Sequence, residues 1–202
     1  MLKGLWVYAA LLALAVLSIY PFQMAVLENT VAQYGVDLPM PAPLMAIVGM
    51  TQPFLLGLVG IWIGQMWAPR VGLRSLVYEK LDWKRPVGAD FKKALPLAVL
   101  SGAGIGLLII GFDWWMSPVL PDVFSLQIQA PTVSEFLMEL FYGGIVEELM
   151  LRFGFMTLLV YAFTRARKTT STFPYALAIF LSALLFALGH YYGATASLAV
   201  MS

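Results

Sequence analysis

Glu147 and Glu148 stand side by side in a long apolar stretch, Arg152 follows one helical turn later, and the chain's single histidine, His190, lies on the next apolar stretch. Each ionisable side chain at the centre of a membrane-spanning helix costs roughly 2.5 to 3.5 kcal/mol, so such groups face a bundle interior and mark a pathway or a site. Glu148 and Arg152 are i,i+4, about 40° apart on an α-helix and in the favourable Glu-first order, so they can neutralise each other. Glu147 points about 100° from Glu148 and about 140° from Arg152, and its own helix offers it no countercharge. Low dielectric penalises its charged form, and a carboxyl so placed is suited to act as a general base or acid. Gly143 and Gly144, one turn upstream after Tyr142, either admit another backbone close to this carboxylate or pack helices together.

Depth relates the glutamates to the histidine. Glu147 lies 18 residues before Arg165, about 27 Å along a helix axis, and His190 lies 16 residues after Pro174, about 24 Å. Adjacent antiparallel helices would bring both to one level, where a carboxylate and an imidazole can share a water and one of them take its proton as it attacks an electrophile. The alternative for a lone histidine is a core hydrogen bond.

The setting that must position these residues is a membrane. Of 202 residues, 61% are hydrophobic and only 11% charged, against about 25% in soluble domains, and the mean hydropathy is +0.84. The composition predicts an all-α, multi-pass helical bundle forming a single domain over 1–202. A net charge of +1 gives no argument for nucleic acid. The absence of cysteine excludes disulfides, a thiol nucleophile and thiolate metal sites.

Apolar runs of about 20 residues predict five spans, near 4–27, 44–67, 94–112, 134–163 and 174–200. The first has a single basic residue before it, Lys3, an apolar part too long for a signal peptide and no small-residue cleavage site, so it reads as a retained helix. Pro39, Pro41 and Pro43 mark a stiff approach to the second. The fourth opens after Pro131 with Thr132 and, three residues on, Glu135, the signature of a capping box.

Basic residues outside the spans fall at Lys3, in the 68–93 loop and in the 164–173 loop, which includes Lys168, whereas the alternate loops carry Glu28, Asp37, Asp113 and Asp122. This predicts a cytoplasmic N-terminus and Ser202 at or near the opposite face, in a plasma or inner membrane if the cell is bacterial. The 68–93 loop mixes basic residues with Leu73, Leu76, Val77, Leu81 and Trp83, which reads either as a segment lying on the leaflet or as a topogenic loop. Gly102, Gly104 and Gly106 lie inside an apolar span with no strand before them, so helix packing is expected rather than a phosphate cradle.

The strings EELMLR, with Glu147, Glu148 and Arg152, and FALGH, from Phe186 to His190, resemble the Glu-Glu-x-x-x-Arg and Phe-x-x-x-His motifs of the CAAX protease and bacteriocin-processing (CPBP, or Abi) family. The resemblance covers 134–192 well and 68–110 weakly. It implies a multi-pass intramembrane endopeptidase in which Glu147 and His190 are catalytic and activate a water, with Glu148 and Arg152 as a supporting ion pair. It implies glutamate-dependent chemistry with no metal and no cofactor. The sequence agrees, since it has no His-Glu-x-x-His, and His190 with carboxylates would make a poor zinc site.

One family motif is missing: no later His-x-x-x-Asn follows, and such an oxyanion donor is worth about 2.7 to 4 kcal/mol of barrier. With the chain closing on GATASLAVMS inside an apolar span, the expectation is that a C-terminal part is missing. The expected partners are the bilayer and a membrane-embedded or lipidated peptide or protein, of CAAX type, a bacteriocin precursor or another. Two other readings are a scaffold or immunity-type membrane protein that keeps the fold without turnover, and a proton or ion transporter. The second and third spans contain almost no polar relay, which ranks the transporter last.

Overall fold

The computed structural model describes residues 3–119, 132–167 and 171–201, the side chains of 167 and of 192–201 excepted. Asp122, Pro131, Lys168 and Ser202, which enter the sequence reading, lie outside the described residues. Of the described residues 86% are helical, and none of them lies in a strand. It forms two compact units, one of residues Met1–Ser75 with Thr132–Ser202, the other Leu76–Pro131.

In the first unit, the first span expected runs as α1 (Lys3–Leu17) and α2 (Ile19–Tyr34), which Ser18 alone separates and which together make one membrane-crossing helix, Lys3–Tyr34. Pro21 has no N–H for the Leu17 carbonyl and its ring crowds that carbonyl, and Ser18 fills the break by donating its hydroxyl to the Ala15 carbonyl at 2.7 Å. Gly35, at φ 61°, ends α2 in the left-handed conformation that glycine adopts without a Cβ penalty. Next comes α3 (Ala42–Trp67), which begins beside Pro43 and closes in a 3-10 turn, Ala68–Val71.

The fourth expected helix is a single rod over 133–167 built from three pieces: α6 (Val133–Met138), a π-helix (Glu139–Met156) and α7 (Thr157–Arg167). Helical dihedrals at Glu139 and Thr157 carry the chain through both junctions. Its start is the capping box read from the sequence: the Glu135 amide donates to the Thr132 hydroxyl at 3.3 Å, and the Thr132 amide donates to the Glu135 carboxylate at 2.7 Å. The last helix of this unit is α8 (Phe173–Met201).

Four helices are long and apolar enough to cross a bilayer, Lys3–Tyr34, Ala42–Val71, Gly88–Met116 and Phe173–Tyr191. The remaining expected span, over 134–163, is helical throughout and carries Glu147, Glu148 and Arg152 near its middle.

The core of the first unit joins α1, α3 and the π-helix through Leu12, Val16, Ile61, Val146 and Leu149. Glycines set how closely these helices approach. A Cβ on Gly60 would collide with the Leu149 carbonyl, one on Gly154 would lie 2.6 Å from the Gly60 Cα, and one on Gly64 would enter the Phe153 ring. Backbone therefore meets backbone where α3 crosses the π-helix, as small-residue interfaces in membranes permit.

The second unit holds α4 (Leu76–Leu81) and α5 (Gly88–Met116). The helical part of the 68–93 loop is thus shorter than the 73–83 pattern suggests, and α5 starts well before 94, taking Lys92 and Lys93 into the helix. A Cβ on Gly102, Gly104 or Gly106 would meet nothing within 4 Å, so the close helix packing expected there is found instead at Gly60, Gly64 and Gly154.

Candidate active site

Glu147 and Glu148 lie on the π-helix, both half-buried. A π-helix closes its hydrogen bonds from i to i+5, a wider turn than the α-helix from which the angular separations above follow, and such turns recur at functional sites. The wider turn keeps Glu148 next to Arg152: Nη1 lies 3.1 Å from Oε1, the ion pair that the spacing predicts. The arginine side chain is 71% exposed, so Arg152 meets the surroundings and Glu148 lies beneath it.

Glu147 takes the other direction. Its Oε2 reaches back along its own helix to within 3.6 Å of where a Gly143 Cβ would stand. Tyr142, five residues earlier and so one π-turn away, is close enough for the carboxylate charge to act on its phenol. No foreign backbone comes close at Gly143 or Gly144, so of the two readings of these glycines neither the approach nor the packing is seen among the described residues. At Gly143 the missing side chain leaves room for the carboxylate itself.

The partner helix is α8. Ser182, 5% exposed, donates its hydroxyl to the Leu151 carbonyl at 3.3 Å and fixes α8 against the π-helix. A cavity of about 290 Å³ lies between them, lined by Gly143, Glu147, Glu148, Met156, Ser182 and Phe186 among others. His190 follows Phe186 by one turn on the same helix, with the two rings 4.2 Å apart. Glu147 and His190 are near enough for their charges to interact, although no direct hydrogen bond joins them among the described residues. The two residues thus stand on neighbouring helices of the same unit.

The imidazole has a defined orientation. Its Nδ1 lies 3.0 Å from the Phe186 carbonyl oxygen. A carbonyl can only accept, so Nδ1 is the donor, and whenever the ring is neutral Nε2 is the nitrogen that presents a lone pair. Among the described residues no group of three or more His, Asp or Glu side chains is gathered as a metal site would need.

Residues 129–202, a little over a third of the chain, match the family model described as type II CAAX prenyl endopeptidase Rce1-like. The match is consistent with the CAAX protease and bacteriocin-processing family that the motifs resemble. No curated protein and no solved structure matches the chain significantly. The matched segment contains Glu147, Glu148, Arg152, Phe186 and His190 as well as Ser182.

Sequence reasoning passed over Ser182 and the α3 glycines. A serine is unremarkable in an apolar helix, and only its position two turns before His190 hints at its role. Gly60 and Gly64, by contrast, form a small-xxx-small pattern that was open to reading.

Proposed function

We propose that this chain is a glutamate-dependent intramembrane endopeptidase in which Glu147 and His190 activate the attacking water. The observation that carries the proposal is that Glu147 lines a cavity against α8, and that His190, one turn beyond the cavity-lining Phe186 on that helix, is near enough for its charge to act on Glu147. A water between them can donate one hydrogen to the Glu147 carboxylate and the other to His190 Nε2, which turns its oxygen lone pair toward a peptide carbonyl carbon. Glu147 takes the proton as the carbon–oxygen bond forms, and the leaving amine receives it as the carbon–nitrogen bond breaks. Glu148 and Arg152 support the site as an ion pair that holds the second carboxylate away from the first. The family description names a prenyl endopeptidase, which favours a lipidated C-terminal peptide as substrate.

The test uses the protein reconstituted in phosphatidylcholine vesicles with a farnesylated peptide bearing a fluorophore and a quencher on either side of its C-terminal bonds. General acid–base groups contribute about 10² to 10⁴ in rate. Glu147→Ala and His190→Ala should each lose at least about 10²-fold, while Glu28→Gln should cleave like the parent protein. Undiminished cleavage by Glu147→Ala would reject the assignment.

A further inference from the structure

Among the residues of α8 whose side chains are described, Ser182 is the last that is buried, and residues 183–191 beyond it are exposed. Its hydroxyl, donated to the Leu151 carbonyl, thus stands where α8 passes from packed to open surroundings. A carbonyl oxygen carries two lone pairs, so Leu151 can accept within its own helix and from Ser182 at once. Earlier on α8, Ala178 is buried in a cluster with Val160 of α7. The contacts therefore step back along one rod as they step forward along the other, and the two run antiparallel.

An α-helix turns about 100° per residue, so Phe186 and His190 lie about 40° and 80° round α8 from Ser182. All three share one side of the helix, and the bond to Leu151 turns that side toward the π-helix. His190 stands eight residues past Ser182, about 12 Å along the axis. Glu147 precedes Leu151 by four residues on the antiparallel rod, so both groups lie in the same direction from the Ser182 bond. A tilt of about 5° at Ser182 moves a group about 12 Å away by about 1 Å, and a misplacement of about 1 Å can cost about 10²-fold in rate.

We propose that Ser182 is a positioning residue, whose hydroxyl sets the direction in which α8 presents His190 to Glu147. The proposal rests on the reading of Glu147 and His190 as the groups that activate water. The hydroxyl takes no proton in that reaction and acts only through the placement of the imidazole. Its loss therefore matters only while His190 is there.

The test uses the full chain in the same vesicles with the same farnesylated peptide. Ser182→Ala should lower kcat by at least about 10-fold, with KM within about two-fold of the parent protein. Ser182→Thr, which keeps the hydroxyl, should recover most of that rate. Ser101→Ala, whose hydroxyl bonds within α5, should cleave like the parent protein. In His190→Ala the further change Ser182→Ala should lower the rate no more. A second readout needs no proteolysis. The chain has one histidine, so protein grown on isotope-labelled histidine gives a single imidazole signal by NMR. Glu147→Gln should shift that signal in the parent protein, because the two charges interact, and much less in Ser182→Ala. A parent protein that cut no peptide would defeat the reading of the site, whereas this shift would still decide the role of Ser182. Equal shifts with and without the hydroxyl would overturn the proposal. So would an unchanged kcat in Ser182→Ala, or the same loss on top of His190→Ala.

Discussion

The Glu148–Arg152 pair can be judged by what each partner leaves behind. Exposed ion pairs are worth about 0.2 to 1 kcal/mol, whereas removing one partner of a buried pair costs about 3 to 5 kcal/mol. Here the arginine side chain is mostly exposed and that of Glu148 is 43% exposed, so the pair belongs near the lower range. A double-mutant cycle of Glu148→Gln and Arg152→Gln, read as melting in detergent, should give a favourable coupling of about 1 kcal/mol. Strict additivity would mean that the 3.1 Å contact contributes nothing. These charges were legible in the sequence because a bilayer makes every ionisable residue conspicuous, and the i,i+4 relation survives the change from an α- to a π-turn. The direction of Glu147 was not legible, since it depends on the wider turn and on the space above Gly143. Nor was the histidine tautomer, which follows from a hydrogen bond to a carbonyl four residues back.

Helices were legible wherever apolar length decided them, and illegible where a local backbone event did. Hydropathy cannot see the break at Ser18, although Pro21 three residues later carries its cause. The π-helix leaves no mark on the apolar pattern, because 139–156 is hydrophobic around most of its circumference. The crossing of α3 with the π-helix makes the sharpest prediction at this level. At Gly60 a side chain would drive into the Leu149 backbone carbonyl, which cannot swing aside as a flexible side chain can. Overpacking commonly costs about 1 to 3 kcal/mol, and a backbone obstacle puts Gly60→Leu at or beyond that upper end. Its melting temperature in detergent should therefore fall well below that of Gly102→Leu, which enters open space and should melt like the parent protein. Equal melting of the two variants would show that α3 and the π-helix do not meet through their backbones.

Charge and packing agree on which ends of the first unit lie together. Tyr8, near the start of α1, shares a 2.8 Å hydrogen bond with Ser75 and stacks on Phe153, while Tyr175, at the start of α8, reaches the Val71 carbonyl at the end of α3. Lys3, Arg70, Arg74 and Arg165 therefore belong to one end of this unit, while Glu28 and Asp37 lie toward the far ends of the helices that begin there. The positive-inside rule predicts that the basic end faces the cytoplasm. Because the chain has no cysteine, single cysteines report this orientation without background. Asp37→Cys and Arg70→Cys are both at exposed positions. In intact cells a membrane-impermeant maleimide should label Asp37→Cys at once and Arg70→Cys only after permeabilisation. The opposite pattern would invert the bundle. The same labelling bears on proteolysis, because the basic end is where a lipidated peptide made in the cytoplasm would first meet the helices that carry Glu147 and His190.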